Sequence, residues 1–119
     1  MNELKNIDEL FSDSVNLLKQ LIAIPSFSKE EDKTADCLEA FFQKKNIKTT
    51  RYLNNVWAAN KHFDKDKITL LLNSHHDTVK PNKGYTLNPF EAMEKDGKLF
   101  GLGSNDAGGP VVSFLVGFI

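Results

Sequence analysis

The sequence predicts an α/β fold, in which helices and strands pack in layers. Two helical patterns come first, strand-like runs follow, and a glycine-rich turn leads into a final apolar helix. The most informative feature is the apolar run Ile68–Leu72, which is soon followed by the pair His75-x-Asp77. Such a run is typical of a buried strand, and open α/β sheets bind their ligands beyond the carboxyl ends of strands. The fold class and the place of a candidate site are therefore predicted together.

The composition indicates one folded domain without a strongly charged partner. The chain has 119 residues, of which 40% are hydrophobic and 26% charged, and its net charge is −1. This balance supports a core and gives no basic surface for nucleic acid or anionic membranes. Cys37, the single cysteine, cannot form an internal disulfide, and neither a signal peptide nor a membrane span is visible. We therefore expect a cytoplasmic protein with no nucleic-acid or membrane partner.

Two amphipathic helices are predicted in the first part of the chain. The first begins at Asn6, where Glu9 completes a capping box, and ends before Pro25. The second follows a further capping box, Ser28–Glu31, and ends near Asn46. The inner faces are apolar at helical spacing, with Leu10, Phe11, Val15, Leu18, Leu21 and Ile22 on the first helix and Ala35, Leu38, Phe41 and Phe42 on the second.

Strands are predicted in three places. The runs Ile47–Leu53 and Val56–Asn60 flank Asn54-Asn55, which tolerate the conformations of a hairpin turn. The apolar strand 68–73 follows a polar connector. After a long loop, residues 91–101 form a second hairpin that turns at Asp96-Gly97.

The last segment, Pro110–Ile119, is apolar nearly all round and is predicted to be a buried helix. It stops without a polar turn or a cap. Trp57 and the nine phenylalanines are expected in the core. Because a finished domain rarely stops inside its own core, we expect the chain to be the amino-terminal piece of a longer protein.

His75, Asp77 and Asp106 are the candidate metal-site residues. Residues two apart in a strand point to the same side, so Asp77 can hold a metal-binding His75 in one tautomer. Asp106 lies in the glycine-rich run Gly101–Gly109, just before a helix with Pro110 in its first turn. One carboxylate can bridge two divalent ions about 3.5–4 Å apart in a two-metal hydrolase. Alternatively, Asp106 only caps the helix.

Three other reactive side chains are interpreted as structural. His76 points away from His75 in the predicted strand, so it is expected to be packed or solvated. His62 lies in a charged connector and is expected to be exposed. Cys37 lies on an amphipathic helix without a histidine partner and is expected to be a small packing residue.

The two motifs together resemble a known family. Residues 75–79 and 97–106, in this order and at this spacing, resemble the di-zinc amidohydrolases and exopeptidases. That family includes acetylornithine deacetylase, succinyl-diaminopimelate desuccinylase, aminoacylase and related carboxypeptidases. Ile24-Pro25-Ser26 and Asn88-Pro89-Phe90 look like further features of the family.

The resemblance implies a fold, a site and a reaction. The chain would be the amino-terminal portion of a three-layer αβα zinc-exopeptidase-like catalytic domain, a mixed sheet with flanking helices, without the lid and dimerisation domain. His75 would bind one zinc ion, Asp106 would bridge two, and Asp77 would be the catalytic support that orients His75. The implied reaction is hydrolysis of the amide bond of an N-acyl amino acid. Cobalt or manganese are alternatives to zinc, and the full-length protein is expected to be a homodimer.

The substrate stays open. Leu102 within Gly-Leu-Gly and the run Asn55–Trp57 resemble acetylornithine deacetylase-like members. Many members follow the aspartate with Met-Lys-Gly-Gly, whereas Asp106 leads into Ala107-Gly108-Gly109. A di- or tripeptidase or a carboxypeptidase of the same family is therefore an alternative. The family's glutamate pair and remaining ligands have no counterpart here, so the 119-residue chain alone is expected to bind zinc weakly and to be inactive.

Two alternative functions belong to other classes of protein. A nucleotide-binding module built on Gly101-x-Gly103 needs glycine where Asp106 stands, and a carboxylate there would repel a pyrophosphate. The other reading is a non-catalytic remnant or a piece that associates with another subunit.

Overall fold

The computed structural model describes residues 2–119, in which helices and short strands alternate. In chain order the elements are α1 (Asn2–Ala23), α2 (Asp32–Lys44), β1 (Thr50–Tyr52), β2 (Asn55–Trp57), β3 (Met93–Lys95), β4 (Lys98–Phe100), a kinked turn, here the Asp106 turn (Ser104–Gly108), and α3 (Gly109–Phe118). This mixture agrees with the predicted α/β class. Within the described residues, every helix is too short or too polar to cross a membrane.

The first helix starts earlier than predicted. It already includes Asn2, so Asn6 lies inside the helix and the capping box predicted there does not form. Residues 3–5 are Glu, Leu and Lys, which all have high helix propensity. The helix ends at Ala23, as predicted, because Pro25 disfavours a helical conformation of the residue before it.

The capping box predicted for α2 is wrong. The residue before the helix is Glu31, and no side chain caps α2 within the described residues. The Ser28 hydroxyl donates a hydrogen bond to the carboxylate of Asp77, and the Glu31 carboxylate accepts one from the backbone N–H of Lys29 at 2.6 Å. Asn46, just beyond the helix, has a left-handed φ of 57°, which agrees with the predicted end.

Both predicted hairpins form, with strands shorter than expected. In the first, Thr50 lies opposite Trp57, and the two-residue turn is Leu53-Asn54, one position before the predicted turn. In the second, the turn falls at Asp96-Gly97 as predicted. The φ angles there are 52° and 72°, and positive values at both positions are typical of a tight hairpin turn.

The predicted buried strand 68–73 is wrong. Ile68 is fully exposed and the side chain of Leu70 is 82% exposed, and the segment has no regular secondary structure. A central strand needs neighbours that accept and donate its backbone hydrogen bonds. Within residues 2–119 the sheets are two separate two-stranded hairpins, and neither includes this segment. The three-layer mixed sheet stays a prediction.

The core lies where the three helices meet. It contains Leu17 and Leu21 of α1, Leu38 of α2, and Val111 and Val112 of α3. Helix α3 carries proline in its first turn, as predicted, and packs against α1. Burial of these side chains fixes the position of α3, and with it the position of the Asp106 turn that leads into the helix.

Aromatic residues contribute less to this core than predicted. Phe42 is buried and contacts Phe118 edge to face, but Phe11, Phe63 and Trp57 are exposed. Helix α3 is buried only near its start, since Phe114 is exposed. Trp57, Phe63 and Phe114 instead line a cavity that Leu38 and Val111 of the core also line.

Candidate metal centre

The segment that carries His75 and Asp77 is fastened to the turn after α1. The backbone N–H of Thr78 donates to the carbonyl of Ser26 at 2.8 Å, and Phe27 and Thr78 form an isolated parallel bridge. The buried Ser26 hydroxyl donates to the carbonyl of His76 at 3.0 Å. These hydrogen bonds fix the backbone on either side of Asp77, although no strand forms there.

The imidazole of His75 is oriented by Asp77. Its Nδ1 lies 3.1 Å from the Asp77 carboxylate Oδ1 and 3.1 Å from the Asp77 carbonyl oxygen. Both partners can only accept, so Nδ1 carries a proton and donates it. The other ring nitrogen, Nε2, then faces Asp106.

Asp106 meets His75 from the opposite side of the site. Its Oδ1 lies 2.9 Å from Nε2 of His75, although the two residues are 31 positions apart. The Asp106 side chain is 87% exposed, and the Asp106 turn has non-helical backbone angles at Asp106 and Ala107. The Asp106 carboxylate is thus exposed to solvent on the side where it contacts Nε2 of His75.

Glycine lets the Asp106 turn approach the His75 segment. Gly103 has a left-handed φ of 73°, and a Cβ built on it would lie 2.5 Å from Cγ2 of Thr78. A Cβ on Gly108 would lie 2.6 Å from Leu18 of α1. A residue with a Cβ at either position would require the neighbouring side chain or the backbone to shift. The glycines of the motif therefore set the distance between the two candidate ligands.

The charges of the site are coupled. Burial lowers the pKa of His75, but the Asp77 carbonyl and the Asp106 carboxylate outweigh it, so the pKa lies above its ordinary value. The hydrogen bond from Ser28 is the main cause that holds the pKa of Asp77 below its ordinary value. The imidazole of His75 thus lies between two carboxylates, which favour its protonated form.

The residues fit part of a zinc site. A histidine nitrogen and a carboxylate oxygen are ligands that zinc accepts, and the pair His75 Nε2 and Asp106 Oδ1 can approach one ion. The orienting carboxylate behind Nδ1 is the usual partner of a metal-binding histidine. Among residues 2–119, no cluster of three or more His, Cys, Asp or Glu side chains is arranged to hold a metal ion. Two ligands leave a tetrahedral site open.

The other candidates have the structural places predicted for them. His76 points away from His75, and its ring nitrogens lie 2.8 Å from Thr34 Oγ1 and 2.8 Å from the carbonyl of Asn54. His62 is exposed. Cys37 packs beside the core, where burial raises the pKa of its thiol.

Sequence reasoning missed the polar network that holds the site. Ser28 hydrogen-bonds Asp77, Thr34 contacts His76, and the Asn54 side chain donates to Glu31 at 2.9 Å. The only signal was Ser28 with Glu31 three residues later, which is the pattern of a capping box. Long-range partners of this kind have no periodicity that could reveal them.

A cavity of about 510 Å³ contains neither His75 nor Asp106 in its lining, although it extends to their neighbours Ser74 and His76. Its other lining residues belong to α2, α3 and the segments 56–64 and 67–73. A smaller cavity of about 310 Å³ lies between the loop 84–91 and residues 100–104, next to the Asp106 turn. The larger cavity is bounded in part by the exposed segment 68–72, and none of the candidate ligands lines it.

The same part of the chain is matched by a family description. Residues 71–118 match the family model of Peptidase family M20/M25/M40. The family resemblance predicted from the two motifs is thereby confirmed. The matched range contains His75, Asp77 and Asp106, and so it covers the whole candidate centre.

Curated relatives carry two of the names that the resemblance gave. A succinyl-diaminopimelate desuccinylase of Buchnera aphidicola is 34% identical over 111 residues, 86% of this chain and 28% of the relative. An acetylornithine deacetylase of Proteus mirabilis is 34% identical over 110 residues, 80% of this chain and 28% of the relative. A succinyl-diaminopimelate desuccinylase of Delftia acidovorans is 27% identical over 115 residues, which are 88% of this chain and 30% of the relative. The chain thus spans about three tenths of the relatives' length.

Proposed function

We propose that residues 1–119 form the amino-terminal portion of the catalytic domain of a metal-dependent amidohydrolase. The observation that supports this most is the pair His75 Nε2 and Asp106 Oδ1, which face each other at 2.9 Å with Nδ1 held by Asp77. The pair lies inside the stretch that matches the M20 family. A three-layer αβα domain and a homodimer of the full-length protein are parts of the same proposal.

Each residue has a distinct task in this proposal. His75 would hold one metal ion through Nε2, and Asp106 would hold both ions with its exposed carboxylate. Asp77 is the catalytic support, since it keeps the proton on Nδ1 and so leaves the lone pair of Nε2 for the metal. Zinc, when bound, polarises the amide carbonyl and lowers the pKa of water, and cobalt or manganese are alternatives with the same ligands.

The proposed substrate is a small N-acyl amino acid. The named relatives include a deacetylase and desuccinylases, both of which by name remove an acyl group. Hydrolysis would release a carboxylic acid and a free amino acid. A di- or tripeptide is the alternative substrate within the same family, because its peptide bond is also an amide of an amino acid.

The test uses the protein that carries this sequence, loaded with zinc. We expect release of a free amino group from N-acetylornithine or N-succinyl-diaminopimelate, loss of activity with a chelator, and its return with zinc. The variant His75→Ala should abolish the activity, whereas His62→Ala, which changes an exposed histidine, should leave it unchanged.

Three outcomes would contradict parts of the proposal. Hydrolysis only of dipeptides would replace the deacylase with the peptidase. Activity that survives His75→Ala would remove His75 from the metal site. A zinc-loaded protein without activity on any of these amides would favour the non-catalytic, subunit-binding reading, which the exposed apolar residues Ile68 and Leu70 support.

A further inference from the structure

The hydroxyl of Ser28 makes a contact that the proposed site does not yet explain. Ser28 is exposed in the turn between α1 and α2, where its spacing to Glu31 suggested a helix cap. It does not cap α2. Instead its Oγ donates to Oδ2 of Asp77, 49 positions further along the chain.

Asp77 is therefore held through both of its carboxylate oxygens. Oδ1 lies 3.1 Å from Nδ1 of His75, and Oδ2 accepts the hydroxyl proton of Ser28. A carboxylate held at one oxygen rotates easily, because the terminal torsion of an aspartate side chain is broad. Held at both oxygens, it cannot rotate without breaking a hydrogen bond.

The turn that carries Ser28 is itself fixed. The backbone N–H of Glu30 donates to the carbonyl of Phe27 at 2.7 Å, and the N–H of Lys29 donates to the Glu31 carboxylate at 2.6 Å. The backbone that carries the Ser28 hydroxyl is thus held by two hydrogen bonds, and a group that orients another must itself be held in place.

We infer that Ser28 is a positioning residue, which sets the orientation of His75 by holding the Asp77 carboxylate. This inference rests on the proposed function, since His75 is a proposed metal ligand. Loss of a partner that orients a metal-binding histidine typically weakens metal binding about 10–100-fold. Ser28 acts through one further hydrogen bond, so we expect an effect at the lower end of that range, about tenfold.

The test compares Ser28→Ala, Ser28→Thr and the matched control Ser12→Ala, which removes the hydroxyl of an exposed serine on α1. The first readout is the imidazole ¹H–¹⁵N spectrum of His75 in the metal-free 119-residue chain. The second is the zinc dissociation constant by chelator competition, and circular dichroism monitors folding.

We expect the Nδ1–H resonance of His75 to move towards that of a solvent-exposed imidazole in Ser28→Ala, with zinc binding weakened about tenfold. Ser28→Thr, which keeps a hydroxyl, should restore both, and Ser12→Ala should change neither. A merely structural role would lower the melting temperature without moving the His75 resonance.

The inference is overturned if a folded Ser28→Ala chain keeps the parental His75 resonance and zinc affinity. Should Ser28→Ala fail to fold, Ser28→Gly removes the same hydroxyl in a turn and is judged by the same readouts. If the 119-residue parent chain binds too little zinc to measure, as a site with two ligands allows, the metal-free His75 resonance alone decides the role of Ser28, and the proposed function is decided by the activity test.

Discussion

Gly103 lies so close to Thr78 that a Cβ on the glycine would be 2.5 Å from the threonine Cγ2. The two residues belong to the two halves of the candidate centre, the Asp106 turn and the segment that carries His75. Their contact brings the halves together, and it depends on the absence of a side chain at one position.

Replacing Gly103 with alanine should therefore separate the two halves. The new methyl group clashes with Thr78, and the left-handed φ of 73° is unfavourable for alanine, so we expect a loss of about 2–3 kcal/mol in the free energy of unfolding. Urea unfolding measures this loss. The control is Gly117→Ala in α3, where a Cβ would meet open space and stability should hold or rise slightly. Equal stability of the Gly103→Ala and parent chains would contradict the close contact.

Zinc binding should weaken as the pH falls through the pKa of His75. Zinc needs the lone pair of Nε2, which faces Asp106 and takes up the second proton of the ring when His75 is protonated. Because that pKa lies above the ordinary histidine value, the loss of affinity should begin at a higher pH than for an unperturbed histidine. Calorimetry in buffers of different ionisation enthalpy should show proton release on binding near neutral pH. Affinity that is independent of pH in this range would exclude Nε2 as the ligand.

The same raised pKa predicts how the metal-free chain responds to pH. A histidine whose pKa is higher in the folded than in the unfolded chain stabilises the fold fully below its unfolded pKa. This contribution disappears as the pH rises through the folded pKa. Subtracting the pH profile of His75→Gln from that of the parent in urea unfolding should reveal the difference, and parallel profiles would contradict it.

His76 should matter for stability rather than for metal binding. Substitution by phenylalanine removes the hydrogen bonds to Thr34 Oγ1 and to the Asn54 carbonyl, and Thr34 is almost fully buried. We expect a loss of about 1–3 kcal/mol in unfolding free energy. The exposed His62→Phe is the matched control. If His76→Phe instead abolished zinc binding in a chain of unchanged stability, the structural interpretation of His76 would be wrong.

The segment 68–72 should make the isolated chain self-associate. Its leucine and isoleucine side chains are exposed over consecutive positions, which favours pairing with another apolar surface. Size-exclusion chromatography should give a larger apparent mass for the parent than for Leu70→Lys. Thr69→Lys adds the same charge without removing an apolar side chain, so it should have the smaller effect. A parent chain that is monomeric at high concentration would contradict this prediction.

Local interactions were the ones that the sequence predicted well. The Asp96-Gly97 turn depends on two adjacent residues that accept positive φ, and the contact of His75 with Asp77 joins residues two positions apart. Asp106 could be paired with His75 only through the family resemblance, because nothing in the spacing alone indicates that contact.

The predictions that were wrong concern residues whose structure depends on partners far away in the sequence. Ser28 has the sequence context of a helix cap, and only the position of Asp77, far along the chain, shows where its hydroxyl goes. Ile68–Leu72 has the composition of a central strand, but a strand is completed by neighbours, and none of the described segments pairs with it. The sequence of a segment indicates which secondary structure it favours, but it does not show whether a neighbouring strand is there to pair with it.

Apart from the contact of His75 with Asp106, the hydrogen bonds that hold the segment 74–78 come from Ser26, Ser28, Thr34 and Asn54, all of which precede it in the chain. Among the described residues, the segment forms one isolated bridge, between Phe27 and Thr78, and pairs with no strand of either hairpin. The conformation of the segment 74–78 therefore does not depend on a sheet, although the apolar residues just before it have the pattern of a strand. The segment 74–78 therefore has most of its partners once α1, α2 and the first hairpin are in place, and the later residues add the contact of Asp106 with His75.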